Sequence, residues 1–155
     1  PRGERVVPAS AFFVAYRRTA LAPDELILRV EIPLVEGREV RFRKVGTRRA
    51  QAISKVVLAL AWRPDEVGAP GGDGDLPIWR DVRLALGSVA DRPIRALRTE
   101  ATLEGAAPTP ETARRAVETL ASEIEPIDDV RSTAEYRRVV AARVLHRLIR
   151  EAGGW

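Results

Sequence analysis

Seven consecutive apolar residues, Val56-Val57-Leu58-Ala59-Leu60-Ala61-Trp62, constrain this chain more than any other feature. Strand side chains alternate between two faces, so Val56, Leu58, Leu60 and Trp62 would line one face and Val57, Ala59 and Ala61 the other. Apolar residues at both parities predict a central strand covered on both faces. The run is far too short to cross a bilayer, which needs about 20 residues. A second strand is expected at Trp79–Val89, where Val82, Leu84 and Leu86 alternate with Arg83, Ala85 and Gly87. Between them, residues 63–77 hold Pro64, Gly68, Pro70, Gly71, Gly72, Gly74 and Pro77, which predicts a long loop in an antiparallel hairpin. Pro93–Leu97 suits a short third strand.

The last third switches to helical spacing. Thr109-Pro110 starts one helix, with Ala113, Ala116, Val117, Leu120 and Ile124 on its apolar stripe and Pro126 beyond it. Ser132-Thr133-Ala134-Glu135 reads as a capping box, with Ser132 as N-cap and Glu135 at the third helical position. Tyr136, Val140, Val144, Leu145, Leu148 and Ile149 form the next stripe, closed by Gly153-Gly154. Strands followed by helices, without βαβ alternation, indicate an α+β domain. Its expected core is a small antiparallel sheet of about three strands packed with C-terminal helices.

Residues 1–41 read as an extended arm. Leu26-Ile27-Leu28-Arg29-Val30-Glu31-Ile32 has strand character and stops at Pro33. The arm has too little apolar mass for a core of its own. Uncovered, Phe12, Phe13, Ile27 and Ile32 would form an apolar patch. Pro1 and the complete absence of Met suggest a piece of something longer.

Composition removes several functions. With no cysteine, the chain supplies no disulfide, zinc thiolate or iron–sulfur ligand, and His146 is its single histidine. A lone histidine in mid-helix reads as structural. The net charge of +4 comes from 26 basic residues interleaved with 22 acids, and aromatics make up only 5%. Dispersed arginines without stacking platforms argue against nucleic acid, although a small basic binder stays as an alternative. No membrane span or signal peptide is visible, in keeping with the cytoplasm. Asp128-Asp129 could pose as an acid–base pair but fits an interhelix turn better. The Gly71–Gly74 run lacks the flanking strand and helix of a phosphate cradle. Lys44, Arg48, Arg49 and Lys55 surround Gly46 and lead into the buried strand. That places cations where they could hold an anionic cofactor or a partner's carboxylates, the simpler reading being a solvated basic turn.

Four ordered blocks resemble one family. Phe12-Phe13-Val14-Ala15-Tyr16-Arg17-Arg18-Thr19 with Pro23–Ile27 and Val30–Pro33 is similar to the end of the FAD-binding domain of molybdenum hydroxylase flavoprotein subunits, the xanthine dehydrogenase and carbon monoxide dehydrogenase family. Phe42–Val56 resembles the start of their carboxy-terminal domain, and Asp81–Val89 and Ile127–Arg138 continue it. The resemblance implies an arm at 1–41 and a flavoprotein C-terminal domain at 42–155. It implies one part of an oxidoreductase, inactive alone, that helps to wall FAD and pass electrons from iron–sulfur centres to an acceptor. A non-catalytic interaction domain of the same fold is the alternative. The implied partners are an N-terminal FAD-binding domain, a large subunit with the molybdenum cofactor and a small subunit with two 2Fe-2S clusters. By matching position, Ile27 would lie against the isoalloxazine ring and Lys44 would approach the flavin or its phosphate end. The loop Gly46–Ser54, with Arg48 and Gln51, would border the acceptor side. Some members carry acidic residues where this chain has Ala50-Gln51-Ala52. The family's Gly-rich FAD segments have no counterpart here, so the chain alone should bind FAD weakly or not at all.

Overall fold

A computed structural model describes residues 3–48, 51–65 and 76–155. Arg49, Ala50 and the Gly71–Gly74 loop lie outside the described residues. The elements run α1 (Ala9–Phe12), β1 (Phe13–Ala15), β2 (Arg18–Thr19), β3 (Glu39–Gly46), β4 (Ser54–Pro64), β5 (Trp79–Gly87), β6 (Ile94–Arg95), α2 (Leu97–Leu103), α3 (Pro110–Glu123) and α4 (Ala134–Gly153). β3 to β6 form an antiparallel sheet in the order β3-β4-β5-β6. The architecture is the expected α+β domain, with β3 as an additional edge strand built from the basic stretch. β3 pairs with β4 from Glu39↔Trp62 to Gly46↔Ser54.

Strand β4 is central, but helices cover only one of its faces. Val56, Leu58, Leu60 and Trp62 are buried, together with Val82, Leu84 and Leu86 of β5. They pack against Ala113, Ala116 and Leu120 of α3 and Ala141, Leu145, Leu148 and Ile149 of α4. Trp62 and Trp79 stack with ring centroids 4.4 Å apart. The opposite face carries Val57, Ala59 and Ala61, which are half-buried. Two-sided coverage is therefore corrected: among the described residues no helix packs there, because α2, α3 and α4, which follow the sheet, share one core on its other side. Flanking strands and the small size of Ala59 and Ala61 give the partial shielding.

Charged side chains complete backbone hydrogen bonds that the short strands leave open. β6 reaches only Ala85 and Leu86, so the Leu84 N–H donates at 2.8 Å to the buried Glu100 carboxylate, which also receives Arg95. β5 bulges at Asp81, whose φ is +50°, and the N–H groups of Asp81 and Val82 donate to Glu104 at 3.1 and 2.9 Å. Asp81 in turn accepts from Arg38 and ion-pairs with Arg83. Helix α2 was not legible in local pattern. Its N-terminus has no side-chain cap of its own, and Glu123 of α3 accepts from the Arg98 and Thr99 N–H groups at 2.8 and 2.9 Å.

Helix α3 starts as expected, Thr109 accepting from the Thr112 N–H ahead of Pro110. For α4 the N-cap is Thr133, which accepts from Tyr136 N at 3.1 Å, and not Ser132. Ser132 is instead bridged to Asp129 through the backbone, which moves the helix start one residue along. Gly154 ends α4 at φ +73°, a left-handed conformation that suits glycine. Asp128 and Asp129 form the turn: Asp128 accepts from Ala134 N, and Asp129 from Arg131 N and Ser132 N. The Arg131 N–H, with Arg137 and Ser132 adding, holds the Asp129 carboxyl below the usual carboxylate range.

The arm is not a strand at Leu26–Ile32, because nothing among the described residues pairs with it. Leu26, Leu28, Val30, Ile32 and Leu34 are all more than two-thirds exposed. Arg5 bridges to Glu25 and Arg29 to Glu4, so the arm is tied mainly to itself. Arg92 reaches the Val14 carbonyl at 3.2 Å. Phe13, Ile27 and Ile32 are exposed as expected, whereas Phe12 is half-buried, edge-on to Phe13. No helix among the described residues is long and apolar enough to cross a membrane.

Arg137 joins these parts and is only 3% exposed. It donates to the Lys55 and Ser88 carbonyls at 3.1 and 2.8 Å and to Asp129 at 2.6 Å. Removing it takes a buried donor from two carbonyls and from Asp129, which keeps its bonds from the Arg131 and Ser132 N–H groups. Arg137→Met, which keeps the bulk, is expected to cost about 2–3 kcal/mol, read as a lower urea midpoint at unchanged slope. A midpoint equal to that of the native chain would contradict the assigned clamp.

Candidate functional site

The β3–β4 hairpin and the helix-free sheet face form one surface. Side chains paired across antiparallel strands share a face. Lys44 pairs with Val57, Phe42 with Ala59 and Val40 with Ala61, so all six lie opposite the helices. Val40 and Phe42 are 56% and 55% exposed, and Ala85 on β5 continues the exposed surface. The result is a shelf of small and flat apolar groups with a cation toward its loop end. The Lys44 ammonium makes no hydrogen bond or ion pair among the described residues. Lys55, by contrast, stacks over Tyr136 at 5.0 Å and belongs to the helix side of the domain.

The hairpin neck is tight. The register shifts between Val45 and Gly46. A Cβ on Gly46 would lie 2.9 Å from Ala52 Cβ and 3.3 Å from the Ile53 carbonyl oxygen. Gln51 sits at φ +49°, and its carbonyl accepts two bonds from the Arg48 guanidinium at 3.2 and 2.6 Å. Arg48 therefore holds the loop's backbone as well as carrying charge. The structure brings Arg48 and Gln51 together and sets Lys44 on the strand that leads to them. Ile27 stays on the separate arm, its side chain 58% exposed.

Three features of the site were not read from sequence: that β3 is a strand, that Phe42 and Val40 share the face of Lys44, and that Arg137 anchors the start of β4. The alternation Val40-Arg41-Phe42-Arg43 carried the first two signals, masked by its arginines. Arg41 and Arg43 point toward the helix side, at the sheet edge, where Arg43 pairs with Glu151 at 2.8 Å.

A sheet with three helices on one face and an exposed hairpin on the other defines a lid-like α+β domain, and comparisons place it. A family described as CO dehydrogenase flavoprotein C-terminal domain matches residues 41–152. The chain belongs to that family. The glyceraldehyde dehydrogenase medium chain of Sulfolobus acidocaldarius is 29% identical over 139 residues, covering 89% of this chain and 45% of the relative. The nicotine 6-hydroxylase medium subunit of Paenarthrobacter nicotinovorans is 30% identical over 155 residues, covering 98% of this chain and 50% of the relative. The solved carbon monoxide dehydrogenase from Hydrogenophaga pseudoflava superimposes with a TM-score of 0.82 at 27% identity, over 98% of this chain and 50% of that one. The chain spans about half the length of the curated relatives it matches.

The neck geometry gives a direct test. Gly46→Val should push Ala52 away and open the hairpin. The expected loss is about 1–3 kcal/mol, or roughly 3–8 °C in Tm, with amide shifts confined to residues 45–54. An unchanged Tm and spectrum would show that the neck is not close-packed.

Proposed function

We propose that this chain is the C-terminal domain of the FAD-binding medium subunit of a molybdenum hydroxylase. On this reading residues 1–41 close the FAD-binding domain and residues 42–155 form the lid. The observation that carries it is the unpaired Lys44 ammonium on an apolar, helix-free face, within a domain of a flavoprotein family.

The residues present fit a flavin wall. A planar, partly apolar ring system carrying phosphates wants a flat apolar surface and a nearby cation, and Val40, Phe42 and Lys44 provide these. Lys44 would hold negative charge on the ring or the phosphates, and Arg48 would stiffen the loop that borders the acceptor side through Gln51. Ile27 would close over the ring from the arm. When bound, FAD supplies the chemistry of taking electrons from iron–sulfur centres and handing them to an acceptor. This chain's own work is to orient the ring and exclude water from one side. With Ala52 and Gln51 where some members have acids, the loop adds no negative charge at those positions, which favours approach of an anionic or neutral acceptor over a cationic one.

The whole assembly follows from the same reading: a Gly-rich N-terminal domain that cradles the FAD phosphates, a large molybdenum-cofactor subunit and a small 2Fe-2S subunit, working in the cytoplasm as an oxidoreductase. The exposed alternation Leu26–Leu34 would then be a strand completed by the N-terminal domain's sheet, since an unpaired apolar strand gains most by adding to a sheet edge.

In the intact flavoprotein subunit, Lys44→Ala should weaken FAD binding about tenfold, some 1.4 kcal/mol, with Lys44→Arg retaining most of it. This chain alone should show no FAD binding below about 1 µM by fluorescence quenching, a level that needs about 8 kcal/mol. Native FAD affinity in the Lys44→Ala subunit, or sub-micromolar binding by this chain, would refute the assignment.

A further inference from the structure

The outer surface of the helical layer carries a second feature that the flavin reading does not use. α3 and α4 lie side by side, and their solvent side forms an apolar groove of about 410 Å³ floored by Val117, Ala121, Val139 and Ala142. Val139 is 42% exposed. The floor residues sit one step off the buried stripes, Ala116 and Leu120 on α3 and Ala141 and Leu145 on α4, so they are not spent on this domain's own core. Two alanines in the floor let another backbone approach closely.

The two rims differ in charge. From α3 only the apolar Val117 and Ala121 line the groove, and beyond them Arg114 is already held by Glu111 and Glu118. On the α4 side Arg138 and Arg143 line the groove and neither has a carboxylate partner among the described residues. On the same two helices Arg147 pairs with Glu151 and Arg114 with its two glutamates. What distinguishes Arg138 and Arg143 is that their unneutralised charge lines exposed apolar surface. At the far end His146 meets Trp155 edge-on, ring centroids 5.5 Å apart, and the Trp155 indole N–H donates to the Pro108 carbonyl at 2.7 Å.

We propose that the α3–α4 groove docks an amphipathic helix of a partner protein, with its apolar stripe on the alanine floor and carboxylates along one edge answering Arg138 and Arg143. A helix presents such a stripe at i, i+3, i+4 and i+7, which matches a groove between two packed helices. Charge along one rim only fixes which way round the partner lies and sets its specificity against basic helices. This surface lies on the opposite side of the domain from Lys44, so docking here leaves the flavin-facing shelf free.

The test uses this chain and two stapled helical peptides sharing one apolar Leu/Ala stripe, one with glutamates along an edge and one with lysines there. Fluorescence anisotropy should give a Kd of about 100 µM or tighter for the Glu peptide and at least about tenfold weaker binding for the Lys peptide. Arg138→Glu/Arg143→Glu should invert the preference while leaving the melting temperature within about 2 °C, since both residues lie on the surface. Equal binding of both peptides, or none of the Glu peptide, would overturn the proposal. So would co-sedimentation of the chain with phosphatidylglycerol vesicles that the double variant abolishes, or a dimer in sedimentation that it dissolves, since each names a different occupant. Lys44→Ala serves as the control. It should not alter peptide binding, so failure here and failure of the flavin reading are read separately.

Discussion

A strand apolar at both parities but covered on one face is the constraint from which the rest of this domain follows. β4 pairs along nearly its whole length with β3 and β5, which satisfies its backbone, and Leu58 and Leu60 are completely buried in the core that the sheet shares with α3 and α4. Three helices on one side leave Val57, Ala59 and Ala61 facing outward, and β3 extends that surface with Phe42 and Val40. Half-exposed apolar surface of this kind is costly unless something else covers it. The hairpin that bounds it is tight at Gly46 and braced from Arg48 to Gln51. A rigid edge beside uncovered apolar area is how one domain contributes a wall to a site completed by another.

The same economy appears in how the domain satisfies its backbone. Its strands are unequal and its second helix is short, so several N–H and C=O groups have no partner in regular structure. Glu100, Glu104, Glu123 and Arg137 each reach from one element to the backbone of another. Glu100, Glu104 and Arg137 tie sheet to helices and Glu123 ties α3 to α2, where apolar contact alone would leave polar groups unpaired. They also explain why the domain carries many charges without an active-site constellation: much of that charge is structural.

Long, periodic features were legible in the sequence. The β4–β5 hairpin, the short strand near Ile94, α3 with its Thr109 cap and α4 with its glycine stop all followed from hydrophobic period and terminal residues. What escaped were elements fixed by distant partners. β3 looked like a basic turn because Arg41, Arg43 and Lys44 hide its alternation. α2 is capped by Glu123, twenty-odd residues away. Ser132 had as good a local claim to the N-cap as Thr133, and its backbone bridge to Asp129 decided the matter. The arm shows the reverse case, with strand-like residues and no strand, since pairing needs a neighbour that local sequence cannot supply. At the candidate site, the cations around Gly46 were visible as a cluster, whereas the division of Lys44 and Lys55 between the two sides of the sheet required the register.

The central claim is that the helix-free face with Lys44 is a flavin wall. The structure of the intact FAD-loaded subunit tests it most directly. The flavin is expected against Phe42 and Ala59, with the Lys44 ammonium about 3 Å from a ring or phosphate oxygen. A flavin bound elsewhere, with this face packed only against protein, would contradict it.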